Sequence, residues 1–356
     1  MAYLSLTDLN DIQAREAMNS KRNRLFGQVD MVKDSTPSVD YVPPQLKAEL
    51  SKLPSDMLGK IPVLKDQTVT VVTTPGFQYI PSNLAESDVF NFVAYDIFSG
   101  FRFWPASFES NQIAADFYKQ SVLQNVLEGM GATKEGIIST LLASRKTQIL
   151  GFTTQISQGD GAFTFNEATD TLEIAKAASK EAMYYNVMSL MRANKLGGNY
   201  RLVTSPAGLV YQEMAAMQYG AGNEKNIAWS NSIIPADRKY VSDILTPGEN
   251  LYTGYMMRDG AMGMYENYPW DFRNGTSFAG KTWSISDVEL PFIRSRANIY
   301  INNEATEATS LVNNSNMYMT HFEEMAIWDR FYVVYRYNEN LATYANDIVK
   351  LEAKTV

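Results

Sequence analysis

An α+β fold is predicted for this chain, and three observations carry the prediction. Residues 61–105 are dense in alternating and aromatic strand sequence, and residues 109–150 repeat apolar side chains at helical spacing. The stretch "NYRLVTSPAGLVYQEMAAMQYG", residues 199–220, reads as a short strand, a sharp turn and a helix.

Composition sets the frame. The chain has 356 residues, 45% hydrophobic and 20% charged, so it is globular in character. That length buries roughly three quarters of the unfolded surface. With no cysteine, disulfides and thiolate chemistry are excluded. No apolar run reaches the roughly 20 residues that a membrane helix needs, and "MAYLSLTDLNDIQARE" lacks the basic and apolar regions of a secretory signal. An intracellular product outside the membrane is expected. The net charge of −8 argues against a nucleic-acid grip, and the one basic cluster, Lys21-Arg22-Asn23-Arg24, reads as a solvated helix end.

In chain order, residues 1–60 read as an extended arm. A short helix fits Thr7 to Arg24, with Ile12 among its few apolar residues. Pro37, Pro43, Pro44 and Pro54, with Pro62 just beyond, keep the following stretch out of regular structure. Deleting residues 1–36 is therefore expected to leave the core folded and to harm assembly. In 61–108, "FNFVAYDIF-SG-FRFWP" reads as two strands joined at Ser99-Gly100, part of a projecting hairpin. Helical spacing over 109–150 (Ile113/Phe117, Leu123/Leu127, Ile138/Leu142) predicts one long helix broken at Gly129 and Gly131, or two helices. "QGDGAFTFNEATD" is a polar turn with a short strand, and a second long helix is predicted from Thr171 to Asn194.

Beyond Gly197-Gly198 lies the strand Tyr200–Thr204, then Ser205 in N-cap position and Pro206 at the first helical position. "NIAWSNSIIPADR" predicts a strand with a proline stop. Asp259-Gly260 inside "NLYTGYMMRDGAMGMYENYPW" is the strongest hairpin signal in the chain, and Asn274-Gly275 a second turn. Asn274-Gly275-Thr276 also spells a glycosylation sequon, read as coincidence. "TWSISDVEL" and "RANIYINNE" predict strands, 301–316 a polar loop, and "DRFYVVYRYNENLATYANDIVKLEA" the close of the chain.

No motif assembles a catalytic site. A strand–Ser–helix turn can present a nucleophile, but Ser205 lacks the flanking glycines of G-x-S-x-G, and Pro206 removes an amide where an oxyanion hole needs one. The one histidine, His321, lies among large apolar residues in "MYMTHFEEMAIW" and reads as packed. Asp160, Asn166, Glu167 and Asp170 lack the D-x-[DN]-x-[DN]-G spacing of a calcium loop, so an ordinary turn is expected. Glu323 and Glu324 diverge as neighbours and do not form an acid–base pair. There is no P-loop, no G-x-G-x-x-G and no H-E-x-x-H, so no catalytic residue, cofactor or metal is expected. The 17 methionines are scattered and read as core filler.

The order of elements is more specific than any motif. An arm, a β excursion, two helices, then strand–Ser–Pro–helix at Val203-Thr204-Ser205-Pro206 are followed by "WSNSIIPAD" (Trp229–Asp237), hairpins and a closing strand with Arg330 near its start. This pattern resembles the major capsid proteins of tailed bacteriophages, the Hong Kong 97-like fold shared with encapsulins. The resemblance implies an N-terminal arm (1–60), an extended β-hairpin loop (61–108), a peripheral domain with long helices (109–195) and an axial domain (196–290). Residues 291–356 then return to the peripheral domain and the closing strand. The arm is short for a cleaved scaffolding segment, so no processing is expected.

The resemblance further implies self-assembly into hexamers and pentamers of an icosahedral head around double-stranded DNA, without sequence-specific binding. The product would be a virion capsid assembled in the host bacterial cytoplasm, with scaffolding, portal and decoration proteins as further partners. Ser205 then caps a structural helix. The alternative inside the fold is an encapsulin-like compartment shell; outside it, a Ser-dependent α/β hydrolase.

Overall fold

The computed structural model describes residues 25–42, 44, 60–64, 87–91, 93–104, 112–150, 163–176, 183–194, 196–208, 236–266, 277–278, 281–282, 284–290, 295–310, 317–335 and 347–355. Its elements are α1 (Gly27–Ser35), a 3₁₀ turn (Thr36–Ser38), β1 (Lys60–Leu64), β2 (Ser87–Asn91), β3 (Ala94–Phe103), α2 (Gln112–Arg145), β4 (Phe163–Asn166), β5 (Thr171–Ile174) and α3 (Met183–Ala193). They continue with β6 (Tyr200–Thr204), β7 (Lys239–Val241), β8 (Tyr252–Arg258), β9 (Met262–Glu266), β10 (Ser277–Phe278), β11 (Lys281–Thr282), β12 (Ser284–Leu290), β13 (Ser295–Ser310), β14 (Met317–Tyr335) and β15 (Ile348–Ala353). The class is α+β, as predicted.

Two sheets organise these elements. A five-stranded antiparallel sheet runs β12-β13-β14-β3, with β9 pairing the far end of β14. A six-stranded mixed sheet runs β4-β5-β15-β8-β6-β7, parallel at β15/β5 and β6/β7. Residues adjacent along a strand point to opposite faces, and the six-stranded sheet uses both. Leu202, Met256 and Val349 pack with α3 through Val187, Leu190 and Met191 in one core. Their neighbours Val203, Met257 and Ile348 turn into a second core shared with α2 and the five-stranded sheet.

Helix α2 is unbroken for 34 residues. Leu123, Leu127, Met130, Ile138 and Leu142 form its buried stripe, and Lys134 and Glu135 are buried in the same stretch. The predicted break at Gly129 and Gly131 is absent. A Cβ on Gly131 would lie 2.6 Å from the Phe26 ring, so this glycine makes room for an aromatic side chain.

Four further predictions are corrected. Ser99-Gly100 is no turn: β3 runs straight through it, and a Cβ on Gly100 would meet the Met325 carbonyl oxygen at 2.5 Å. Thr171 opens a strand and not a helix; α3 starts only at Met183, and β4 and β5 form a hairpin whose turn takes Asp170 to φ 49°. The polar residues 301–310 are strand, because Ile301, Asn302 and Ala305–Ser310 pair with β14, the second half of a long hairpin, with one irregularity between Asn302 and Ala305. Asp259-Gly260 does turn the chain, with Gly260 at φ 83°, but the strands it joins do not pair. β8 pairs β6 and β15 in one sheet while β9 pairs β14 in the other.

The arm is corrected in part. Phe26, Val29, Met31 and Val32 belong to the core shared with α2, so removing residues 1–36 removes core area. The predicted helix Thr7–Arg24, the basic cluster, residues 65–86 of the strand-rich stretch, the "NIAWSNSIIP" strand and Asn274-Gly275 lie outside the described residues.

Candidate functional site: the junction beneath the first helix

Between the two sheets, α1 is held by polar groups from four elements. Its N-cap position is Phe26, which has no capping side chain. The capping group comes from α2 instead. Glu135, fully buried, accepts the Gln28 amide at Oε1 and the Val29 amide at Oε2, both at 2.9 Å. These are free amides of the first turn, and the positive end of the helix favours a carboxylate there. Ser242, just past β7, donates its hydroxyl to Glu135 Oε1 at 2.6 Å and accepts from Gln28 Nε2 at 3.1 Å. Burial pushes the Glu135 carboxyl up to about 7, against the pull of Ser242 and the two amides; the nearby Asp30 adds to the rise.

The C-terminal half of α1 is fixed to the five-stranded sheet. Lys33 pairs with Glu266 on β9 at 3.1 Å. Lys134 of α2, fully buried, lies 2.9 Å from Asp329 Oδ2 on β14, 3.8 Å from Glu266 and 4.5 Å above the Phe331 ring. Burial would raise the Glu266 carboxyl, yet Lys134 and Lys33 hold it below the usual range. Thr36 accepts the Met264 amide at 2.9 Å, and Ser35 accepts the Gly260 amide at 2.8 Å.

A third set links α1 to the six-stranded sheet. Tyr240 on β7 donates to Asp34 at 2.8 Å and accepts from Arg201 on β6 at 2.6 Å. Arg201 and Arg238 both grip Asp259, Arg238 at 2.8 Å. Arg258 pairs with Asp347 beside β15 at 3.2 Å. The crossing turn between the sheets is thus clamped from both sides.

The residues singled out in the sequence do not come together. Ser205 is fully buried at the end of β6, whereas His321 stands in β14, opposite Thr306 in the other sheet. Ser205 does sit immediately before helical residues 206–208, and its Oγ accepts the Thr253 amide at 3.5 Å. Asn166 is used within its own hairpin, bonding Glu173 and the Ala168 amide. Asp160 lies outside the described residues, and among those described no group of acids or histidines could hold a metal ion. Glu324 pairs with Arg102 at 2.9 Å, while its neighbour Glu323 is buried. Sequence reading missed the junction. Its visible signal was a Lys-Glu dipeptide in the middle of an otherwise apolar helical stripe.

No family model and no curated protein matches the sequence. Three solved structures that share its outline come from phages. The chain is similar to one from Mycobacterium phage Che8 at 8% identity and TM-score 0.46, over 88% of this chain and 89% of that one. It is also similar to a chain from Mycobacterium phage Adephagia at 12% identity and TM-score 0.43, over 84% and 85%. A third is the capsid structure of the cyanophage P-SCSP1u, at 11% identity and TM-score 0.42, over 84% of each. At these values the likeness is one of outline, and function has to be read from the chain's own geometry.

Proposed function

We propose that the chain is a structural subunit of a tailed-phage head, assembling through hexamers and pentamers into an icosahedral shell around double-stranded DNA. One observation carries this reading: a compact body of this size is about 50 Å across, and α2 runs that full width while β14 exceeds it. Helix α2, 34 residues, spans about 50 Å, and the 19-residue strand β14 about 60 Å. A compact chain of this length has a radius of gyration of about 20 Å. Elements of that reach suit a tile that carries load between neighbours, not a shell of loops around a catalytic pocket.

Aromatic exposure near these elements supports the reading. Phe98 on β3 is 64% exposed and Phe117 on α2 is 69%, with Trp104 and Tyr118 also exposed. Large exposed apolar side chains in proximity mark contact surface. In this reading the peripheral part centres on α2, the axial part centres on the six-stranded sheet, and residues 1–60 and 61–108 serve as arm and extended loop. The net charge of −8 suits an inner wall that does not bind DNA tightly. No catalytic step is assigned. Negative-stain microscopy of the purified chain tests the proposal: closed particles support it, and a field of dispersed small monomers overturns it.

A further inference from the structure

We propose that Glu135, Ser242 and Gln28 form a proton-operated latch, in which protonation of Glu135 reverses the hydrogen-bond chain to Gln28 and tightens the seat of α1 between the two sheets. The argument starts from an atom left over. Gln28 is fully buried, its Nε2 donates to Ser242 Oγ, and its Oε1 is buried with no hydrogen-bond partner. A buried amide oxygen without a donor is costly, so a second arrangement that uses it lies close in energy.

That second arrangement needs one proton and no broken covalent bond. With Glu135 charged, Gln28 Nε2 donates to Ser242 Oγ and the Ser242 hydroxyl donates to Glu135 Oε1. With a proton on Glu135 Oε1, the carboxyl donates to Ser242 Oγ across the same 2.6 Å. The Ser242 hydroxyl then turns to Gln28, whose amide rotates by half a turn to present Oε1. The Gln28 and Val29 amides keep their acceptors, since both carboxyl oxygens retain lone pairs. Each arrangement leaves one Gln28 atom over, Oε1 in the first and Nε2 in the second, and only the second removes a buried charge from the junction.

Burial, with the surrounding charges, decides where the switch sits. On α1, Asp30 faces Glu135 and disfavours its charge. On α2, the adjacent Lys134 is committed to Asp329 and Glu266. Past β7, Asp243 takes the Leu25 amide at 2.9 Å. Burial, the largest influence, brings titration to about 7 from an ordinary 4.5. A carboxyl raised in the folded state binds its proton there over that window and not when exposed, so docking weakens as pH rises through it and strengthens as pH falls.

Hydrogen exchange on the purified full-length chain tests this, with amides 28–35 followed at pH 6, 7 and 8 and corrected for intrinsic rates. Protection should rise about tenfold from pH 8 to pH 6, the change that linkage assigns to one carboxyl titrating near 7. Glu135→Gln should abolish the pH step. Gln28→Met removes the donor of the charged arrangement and the acceptor of the neutral one. Only the neutral one is left with an unpaired buried donor, the Ser242 hydroxyl, so the step should move to lower pH. A wild type flat from pH 8 to 6, or a Glu135→Gln variant that keeps the step, overturns the latch. An unshifted step in Gln28→Met overturns the relay, and that variant decides the matter even if Glu135→Gln fails to fold.

Discussion

Gly129 and Gly131 stand two residues apart on α2, yet alanine at these positions is expected to act in opposite directions. Nothing lies within 4 Å of a Cβ on Gly129, so Gly129→Ala should stabilise by about 0.5–1 kcal/mol through helix propensity. On Gly131 the Cβ meets the Phe26 ring, and Gly131→Ala should destabilise by about 1–3 kcal/mol through overpacking. Chemical unfolding midpoints of the two variants check the pair; a common sign contradicts the packing of Phe26 on α2. Lys134→Met is a harsher change, because it strips a buried cation from Asp329 and Glu266. Breaking a buried pair from one side costs about 3–5 kcal/mol, and the same unfolding measurement reads it. Ser205→Ala should cost only about 0.5–1 kcal/mol, since its one long bond to Thr253 is weak.

At the scale of elements, the clamp on the crossing turn makes the sharpest prediction. Asp259 is shared by Arg201 and Arg238, so Asp259→Asn leaves two half-buried guanidiniums short of a counter-charge. A loss of about 1–3 kcal/mol is expected in thermal unfolding. Deleting residues 1–36 should do more, abolishing a single cooperative transition, because Val29, Met31 and Val32 are wholly buried in the core that joins both sheets. The same elements show what was legible beforehand. Periodicity located α2, whose buried stripe the sequence writes out directly, and runs of strand-forming residues located β6 and β12. Glycine was the weak sign: Gly100 and Gly131 read as punctuation but exist for the close approach of Met325 and Phe26, which no local pattern reveals. Asp259-Gly260 was legible as a turn and not as a change of sheet, because strand pairing is chosen by distant partners. Residues 301–310 looked like a loop because polarity was read as irregular structure, whereas the backbone ladder to β14 forms without regard to side-chain polarity. The Glu135–Ser242–Gln28 site joins residues 107 and 214 positions apart, a distance at which spacing in the sequence carries no information.

At the scale of the whole molecule, two sheets share one core, the six-stranded sheet carries a second on its other face, and one clamped turn and one short helix join them. That build ties the sheets together through packing and ion pairs. It also leaves long elements and exposed aromatics that a neighbouring copy can cover. Sedimentation velocity of the purified chain at micromolar concentration tests this most directly. The account predicts capsomer-sized or megadalton boundaries with little material at the mass of one chain. A single boundary at 40.0 kDa would contradict it.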